Sequence, residues 1–419
     1  MIELWPLTGL NEICESIVDC VNKTAPVADG VTPYKMLRTT NVRNGYVDTI
    51  NCRFVSGDTF ERWTRREVPR KGDVILTREA PLGEVGMLRD DETVFLGQRL
   101  MSYRANPLKL DANFLLYSLM GPELQAQIRA AGSGATVEHI RVPDAERLKI
   151  RLPDLTTQQR VGSILASYDE LYLNNRRRIA ILEEMARRLF VDWFVRFRFP
   201  GTDDIPLNET EIGTAPVEWP TVRADEIIDF DPRTKVPKEG MKRFVPMDAL
   251  DTSSSVISYW ETRAGNAGSK FQNGDTLFAR ITPCLENGKT GLVNFLNAKE
   301  TAFGSTEFTV MRGKGAPSSF VYLLARSESF RAVAIKSMGG ADGRQRVRVD
   351  ALKGYELPLP PAELLRKFAE VAEPLLEHVR VLADQNVRLR AARDLLLPKL
   401  ISGEIDVATA EEAFVEAAE

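Results

Sequence analysis

The sequence predicts an α+β protein: two tandem mixed α/β modules separated by two long antiparallel coiled-coil helices, in a pseudo-two-fold repeat. Three observations predict it. Short landmarks recur in one order, with Trp5-Pro6 returning as Trp219-Pro220 and Leu152-Pro153 as Leu357-Pro358. Between them, Gly72-Asp73-Val74-Ile75-Leu76-Thr77-Arg78 returns as Gly274-Asp275-Thr276-Leu277-Phe278-Ala279-Arg280. Ordered self-similarity of this kind marks a duplicated module whose loops have diverged in length. Each copy also closes on a heptad-spaced helical pattern, and each holds short β-type runs cut by Gly, Asp and Pro.

The first module, residues 1–153, carries β-type runs at 74–77 and 93–96 and a helical apolar stretch at 114–120. Residues 154–198 hold the first long helix, expected over 157–197. There Val161, Tyr168, Asn175, Leu182 and Leu189 recur every seven residues, with Leu165, Tyr172, Ile179, Ala186 and Trp193 four residues after each. That is an a/d seam of coiled-coil type. Thr156-x-x-Gln159 reads as a capping box at its start. A linker containing Pro200-Gly201 and Pro206 opens the second part, residues 199–358, whose module repeats the pattern with β-type runs at 276–279 and 307–311 and a helical stretch at 320–324. Residues 359–400 hold the second long helix, expected over 361–397, with Phe368, Leu375, Leu382, Leu389 and Leu396 joined by Ala372, Val379 and Asn386. Pro361 suits its first turn and Pro374 predicts a kink. Asn175 and Asn386 put a polar group on each seam, as a register device or at a wet edge. Residues 401–419 form an acidic tail. At 1.5 Å per residue each helix is roughly 55 to 60 Å long. The short linker then puts the second module near the far end of the first helix, and the expected shape is a caliper.

Composition narrows the function classes. A formal net charge of −4 argues against a protein that coats nucleic acid indiscriminately, so any such role must rest on local patches. Cys14, Cys20, Cys52 and Cys284 form no C-x-x-C pair and only two histidines are present, which supplies a metal site poorly. Reduced thiols and no metal are expected. The N-terminus lacks a signal-peptide layout and no apolar run is long enough to span a bilayer, so the expected location is cytoplasmic, without a membrane partner. His139 and His378 are isolated, the Gly132-x-Gly134 pair lacks a strand-then-helix context, Asp231-Pro232-Arg233 breaks the methyltransferase Asp-Pro-Pro-aromatic pattern, and no P-loop is present. The chain is not expected to be an enzyme by itself.

At Gln159-Arg160, at 173–178 (LNNRRR), at 182–187 (LEEMAR) and at 190–195 (FVDWFV) the sequence closely resembles the central conserved region of Type I restriction-modification specificity subunits. The resemblance continues at 274–289 (GDTLFARITPCLENGK), in the Leu-Pro-Leu-Pro-Pro run at 357–361, and at 396–407 (LLPKLISGEIDV). It implies two target-recognition domains, each reading one half of a split double-stranded DNA site, with helices that space them and dock partners. The implied partners are two adenine methyltransferase (modification) subunits and restriction/translocase subunits. It implies no cofactor in this chain, with S-adenosylmethionine and ATP on the partner subunits. One departure stands out: the second helix opens Ala362-Glu363-Leu364-Leu365-Arg366, without the Gln-Arg of the first, so equivalence of the two docking surfaces is not implied.

Candidate DNA contacts are basic, amide and hydroxyl residues in loops near the repeat landmarks. In the first module these are Arg38, Arg43, Arg78, Arg99, Ser133 and Thr136, and in the second Arg280, Lys289, Arg344, Gln345 and Arg346. Arg suits guanine and Gln suits adenine through bidentate geometry in the major groove. Arg78 and Arg280 recur between modules expected to read different sequences, so a structural or phosphate-binding role competes there. Arg176, Arg177 and Arg187 on the first helix are candidates for docking an acidic partner or for phosphate contact along the gap, against a solvated face or pairing with carboxylates. Trp193 and Phe194 are candidates for docking or for core packing. The competing classes are a reader serving a methyltransferase alone, a coiled-coil protein scaffold, and an enzyme acting alone.

Overall fold

A computed structural model describes residues 5–132, 137–201, 205–341, 344–405 and 407. The chain divides into two compact units, Met1–Tyr172 with Arg388–Glu419, and Leu173–Val387. Each long helix therefore begins in one unit and ends in the other.

In the first unit a six-stranded sheet runs Cys14–Asp19, Leu100–Ala105, Val74–Arg78, Leu82–Met87, Gly45–Val47, Val42–Arg43. A three-stranded sheet orders Arg53–Phe54, Lys35–Leu37 and Val94–Leu96, the last pair parallel. Leu7–Gly9 pairs antiparallel with Lys149–Arg151. The unbroken apolar run at 74–76 is explained by burial on both faces, since Val74 and Leu76 enter one core cluster and Ile75 another. The helix Ala112–Met120 starts where Asp111 Oδ1 accepts the Phe114 amide at 2.8 Å. Its buried face meets Val161, Leu165 and Tyr168 of the first long helix and Leu389, Leu397 and Leu400 of the second.

The second unit repeats this plan. Thr221–Arg223 pairs with Glu356–Pro358, and a four-stranded sheet runs Ile228–Phe230, Phe308–Gly313, Thr276–Ala279, Thr290–Leu292. Its other main sheet runs Glu261–Arg263, Lys242–Val245, Thr301–Gly304, Ser269–Gln272, again with one parallel pair. Among the described residues the final strand, Ser269–Gln272, has no counterpart in the three-stranded sheet of the first unit.

The repeated Gly-Asp landmark has a structural cause. Gly72 and Gly274 sit at φ +91° and +88°, a conformation that favours glycine. Each following aspartate is buried, caps its own turn (Arg70 amide to Asp73 Oδ2 and Gln272 amide to Asp275 Oδ2, both 2.9 Å), and holds an arginine of the neighbouring strand. Arg104 donates to Asp73 at 2.8 and 2.7 Å, and Arg312 to Asp275 at 2.6 and 2.7 Å.

The first long helix spans Leu155–Phe194 and the second Ala362–Ser402. Two sequence expectations are corrected at their starts. Asp154, not a Thr156-Gln159 box, caps the first helix, accepting the Thr157 amide at 3.0 Å and its hydroxyl at 2.6 Å. Pro361 lies just before the second helix, where its carbonyl accepts the Leu365 amide at 3.1 Å. The helix continues through Pro374, which supplies it no amide donor. In the first unit the helices pair antiparallel through Asp169 with Arg393 and Tyr172 beneath Arg390. In the second they pair in the same sense through Asn175 with Gln385 and Arg178 with His378, each at 3.4 Å. Asn175 and Asn386 are both buried on this seam.

All four cysteines are unpaired, and burial pushes the Cys14 thiol up to about 12. Among the described residues no group of acidic, His or Cys side chains is placed to hold a metal ion, and no helix is long and apolar enough to cross a membrane.

Candidate nucleic-acid interface

The two modules present the same backbone frame at the end of the strand that follows the Gly-Asp landmark. In the first, the Arg78 amide donates to the Arg99 carbonyl at 2.8 Å, the Ile140 amide donates to the Arg78 carbonyl at 3.0 Å, and Glu79 bridges His139. In the second, the Arg280 amide donates to the Glu307 carbonyl at 3.0 Å, the Val347 amide donates to the Arg280 carbonyl at 2.9 Å, and Ile281 bridges Arg346. Position by position, Arg78 matches Arg280, Arg99 matches Glu307, and His139 matches Arg346. A cis X-Pro bond follows in both, at Ala80-Pro81 and Thr282-Pro283.

The shared frame carries different charges. In the first module Arg99, exposed and at φ +71°, pairs through Nε with Glu79 at 3.2 Å. Arg78 is half-buried, reaching the Ile140 carbonyl at 3.4 Å. In the second module Glu307 is the acid, held by both Arg346 nitrogens at 2.6 to 3.1 Å and by Arg280 at 3.5 Å. Hydrogen bonding to Arg346 holds the Glu307 carboxyl below the usual carboxylate range. Arg344 is exposed and makes no ion pair with a described residue, while the Gln345 carbonyl accepts the Thr282 amide at 3.1 Å.

Arg280, Arg344, Gln345 and Arg346 are thus brought together, as are Arg78 and Arg99. The other candidates fall elsewhere. Arg38 is half-buried beside a short 3-10 turn, its amide donating to Asn41 Oδ1 at 2.9 Å, and Arg43 is exposed on an edge strand. Lys289 is tied down, its Nζ donating to the Met247 carbonyl at 3.1 Å, which removes it from the group facing solvent. Ser133 and Thr136 lie outside the described residues. Sequence reasoning passed over Glu79 and Glu307 as site residues and read His139 as an isolated histidine. Glu79 directly follows the Arg78 landmark, but loops of unequal length separate His139 and Glu307 from theirs, so only the paired backbone bonds reveal the correspondence.

On the first long helix Arg176, Arg177 and Arg178 are exposed. Arg187 instead chelates Glu184 at 2.7 Å through two nitrogens, and Arg188 joins at 2.5 Å, which pulls the Glu184 carboxyl down to about 2. Trp193 and Phe194 are corrected as docking candidates. They are 6% and 9% exposed within an aromatic cluster with Phe190, Phe320 and Phe368, so they pack the core of the second unit. Ile181 and Met185, 59% and 50% exposed at helical spacing, leave apolar surface on the same helix.

Residues 3–184 match the family described as Type I restriction modification DNA specificity domain. The specificity subunits of Type I restriction enzymes MjaIX and MjaVIII of Methanocaldococcus jannaschii are 22% and 21% identical to this chain. These similarities cover 80% and 71% of this chain and 78% and 71% of theirs. A crystal structure of a Type-I restriction-modification system S subunit from M. genitalium shares the fold, with a TM-score of 0.57 at 15% identity over 94% of this chain and 96% of that one.

Proposed function

We propose, from the premise that this chain belongs to the Type I restriction-modification specificity-subunit family, that its two modules each read one half of a bipartite DNA target. The subunit is non-catalytic and recognises DNA, working within a complex that contains methyltransferase and restriction subunits. Two adenine-modifying subunits, carrying S-adenosylmethionine, dock on the helices, and the restriction/translocase subunits carry ATP. The complex acts in the cytoplasm.

One observation carries the reading: the same frame, built twice, presents different side chains at matched positions. Arg99, Glu79 and His139 in the first module become Glu307, Ile281 and Arg346 in the second. A scaffold under packing constraints alone has no reason to keep backbone bonds while exchanging charge at the same places. A reader of two different half-sites does, because base edges are distinguished by the donor and acceptor pattern of the side chains facing them. Two linked modules also multiply selectivities that are each limited to about 1 to 3 kcal/mol per base contact.

Replacing residues 1–150 with the matching segment of another specificity subunit tests it. The methylated motif should change in one half and keep the other. A change in both halves would show that the modules do not read independently.

A further inference from the structure

We propose that a cleft in the second module, walled by Arg233, Lys270 and Arg280, holds the DNA sugar-phosphate backbone beside that module's half-site, which deepens the DNA-reading proposal and rests on it. The cleft holds about 460 Å³ between the irregular segment 231–234, the strand Ser269–Gln272 and the end of the strand Thr276–Ala279. Phe308 and Val310 form its buried floor and Thr306 its exposed rim.

The charges in this cleft are mostly unspent. Arg233 is exposed and Lys270 half-buried, and neither side chain makes an ion pair or hydrogen bond with a described residue. Arg280 has one long contact, at 3.5 Å to Glu307, whose better partner is Arg346. The carboxylate on the wall, Asp231, is engaged through Oδ1 by the Val310 amide at 2.9 Å. Three cations on its walls face one wall carboxylate, with Glu307 beyond Arg280 held mainly by Arg346, and in a concave, partly desolvated site they attract a polyanion more strongly than the same charges spread on a convex surface.

The wall is also fixed in place. Thr234 accepts a hydrogen bond from Arg312 at 2.9 Å, and Ser269 donates to the Phe308 carbonyl at 2.8 Å. Gly268, at φ +127°, lets the strand approach so closely that a Cβ there would collide with the Gly304 carbonyl oxygen. Arg280 has its match in Arg78, but Lys270 lies on the strand that has no described counterpart in the first unit. The cleft is therefore a feature of the second module. Phosphate contact fits it better than base readout, because the Lys270 ammonium is a flexible point charge and the exposed Arg233 fork is held in no fixed orientation by a described residue.

The test uses the full chain assembled with its methyltransferase partner, and a duplex carrying the motif found by methylation mapping. R233A/K270A should bind about tenfold more weakly at physiological salt, flatten the dependence of log affinity on log salt by about one for each phosphate no longer neutralised, and leave the methylated motif unaltered. R233K/K270R should keep both affinity and slope. An unchanged slope in the alanine pair, or an equal loss in the charge-conserving pair, would overturn the cleft as a phosphate site. An altered second half-site would overturn it in favour of base contact. Absence of preferential duplex binding by the unaltered complex would sink the DNA-reading proposal itself.

Discussion

Asp169 and Glu183 are the carboxylates on which the first long helix grips its two units. Asp169 accepts the Tyr117 hydroxyl at 2.7 Å and Arg393 of the second helix at 2.5 Å, with Asp169 and Arg393 both nearly excluded from water. In the second unit Glu183 accepts the Ser254 hydroxyl at 3.0 Å, the Ser255 amide at 2.5 Å and the Tyr322 hydroxyl at 3.2 Å. Burial, and then the adjoining carboxylate, raise both tyrosines well above their ordinary value, so each stays protonated and able to donate. D169A should destabilise the first unit by about 3 kcal/mol, because it strands a buried guanidinium. Arg393 keeps its bonds to Asp394, so the loss belongs at the low end for such a pair. Urea unfolding followed by fluorescence checks it, and an unchanged midpoint would show that the pair is solvated. Arg344 makes the opposite expectation. It supports nothing in the described fold, so R344A should leave stability unchanged and weaken target binding by about 1 to 3 kcal/mol, read as a shift in Kd. A loss of stability with unchanged Kd would reassign it to structure.

The long helices were legible because heptads report burial directly. Val161, Leu165, Tyr168, Phe368, Ala372, Val379 and Leu382 are all buried on the expected seam. Their starts were less legible, since Asp154 caps as well as any threonine and only geometry chooses between neighbouring polar residues. The β-type runs are found within a residue or two, Val74–Arg78 and Thr276–Ala279 among them, because strands buried on both faces read as unbroken apolar runs. The small sheets around Lys35–Leu37 and Lys242–Val245 were not placed by sequence. Their strands are two to four residues long, too short for a period to show. If the helices act as spacers, inserting one heptad at matched points in both should lengthen each by about 10 Å and widen the gap between half-sites by about three base pairs, while keeping the seam in phase. Methylation mapping of that variant checks it, and an unchanged gap would refute the spacer role.

For the whole molecule, the duplication carries the most information. Landmarks that recur in order identified the two modules, and the structure supplies their physical reason: a positive-φ glycine, a buried capping aspartate and a strand arginine, built twice. The candidate interface was only partly legible. Arg78 and Arg280 were found because they adjoin those landmarks, whereas the pairing of Arg99 with Glu307 and of His139 with Arg346 depends on bonds between distant segments. Trp193 and Phe194 show the converse: a helix-end aromatic reads alike whether it faces a partner or a core. The central claim, that this chain selects the DNA sequence at which its partners act, is tested most directly by mapping adenine methylation across the genome in cells with and without its gene, with the partner methyltransferase expressed in both. Loss of one two-part motif upon deletion is the predicted result, and a methylome unchanged by deletion would contradict the account.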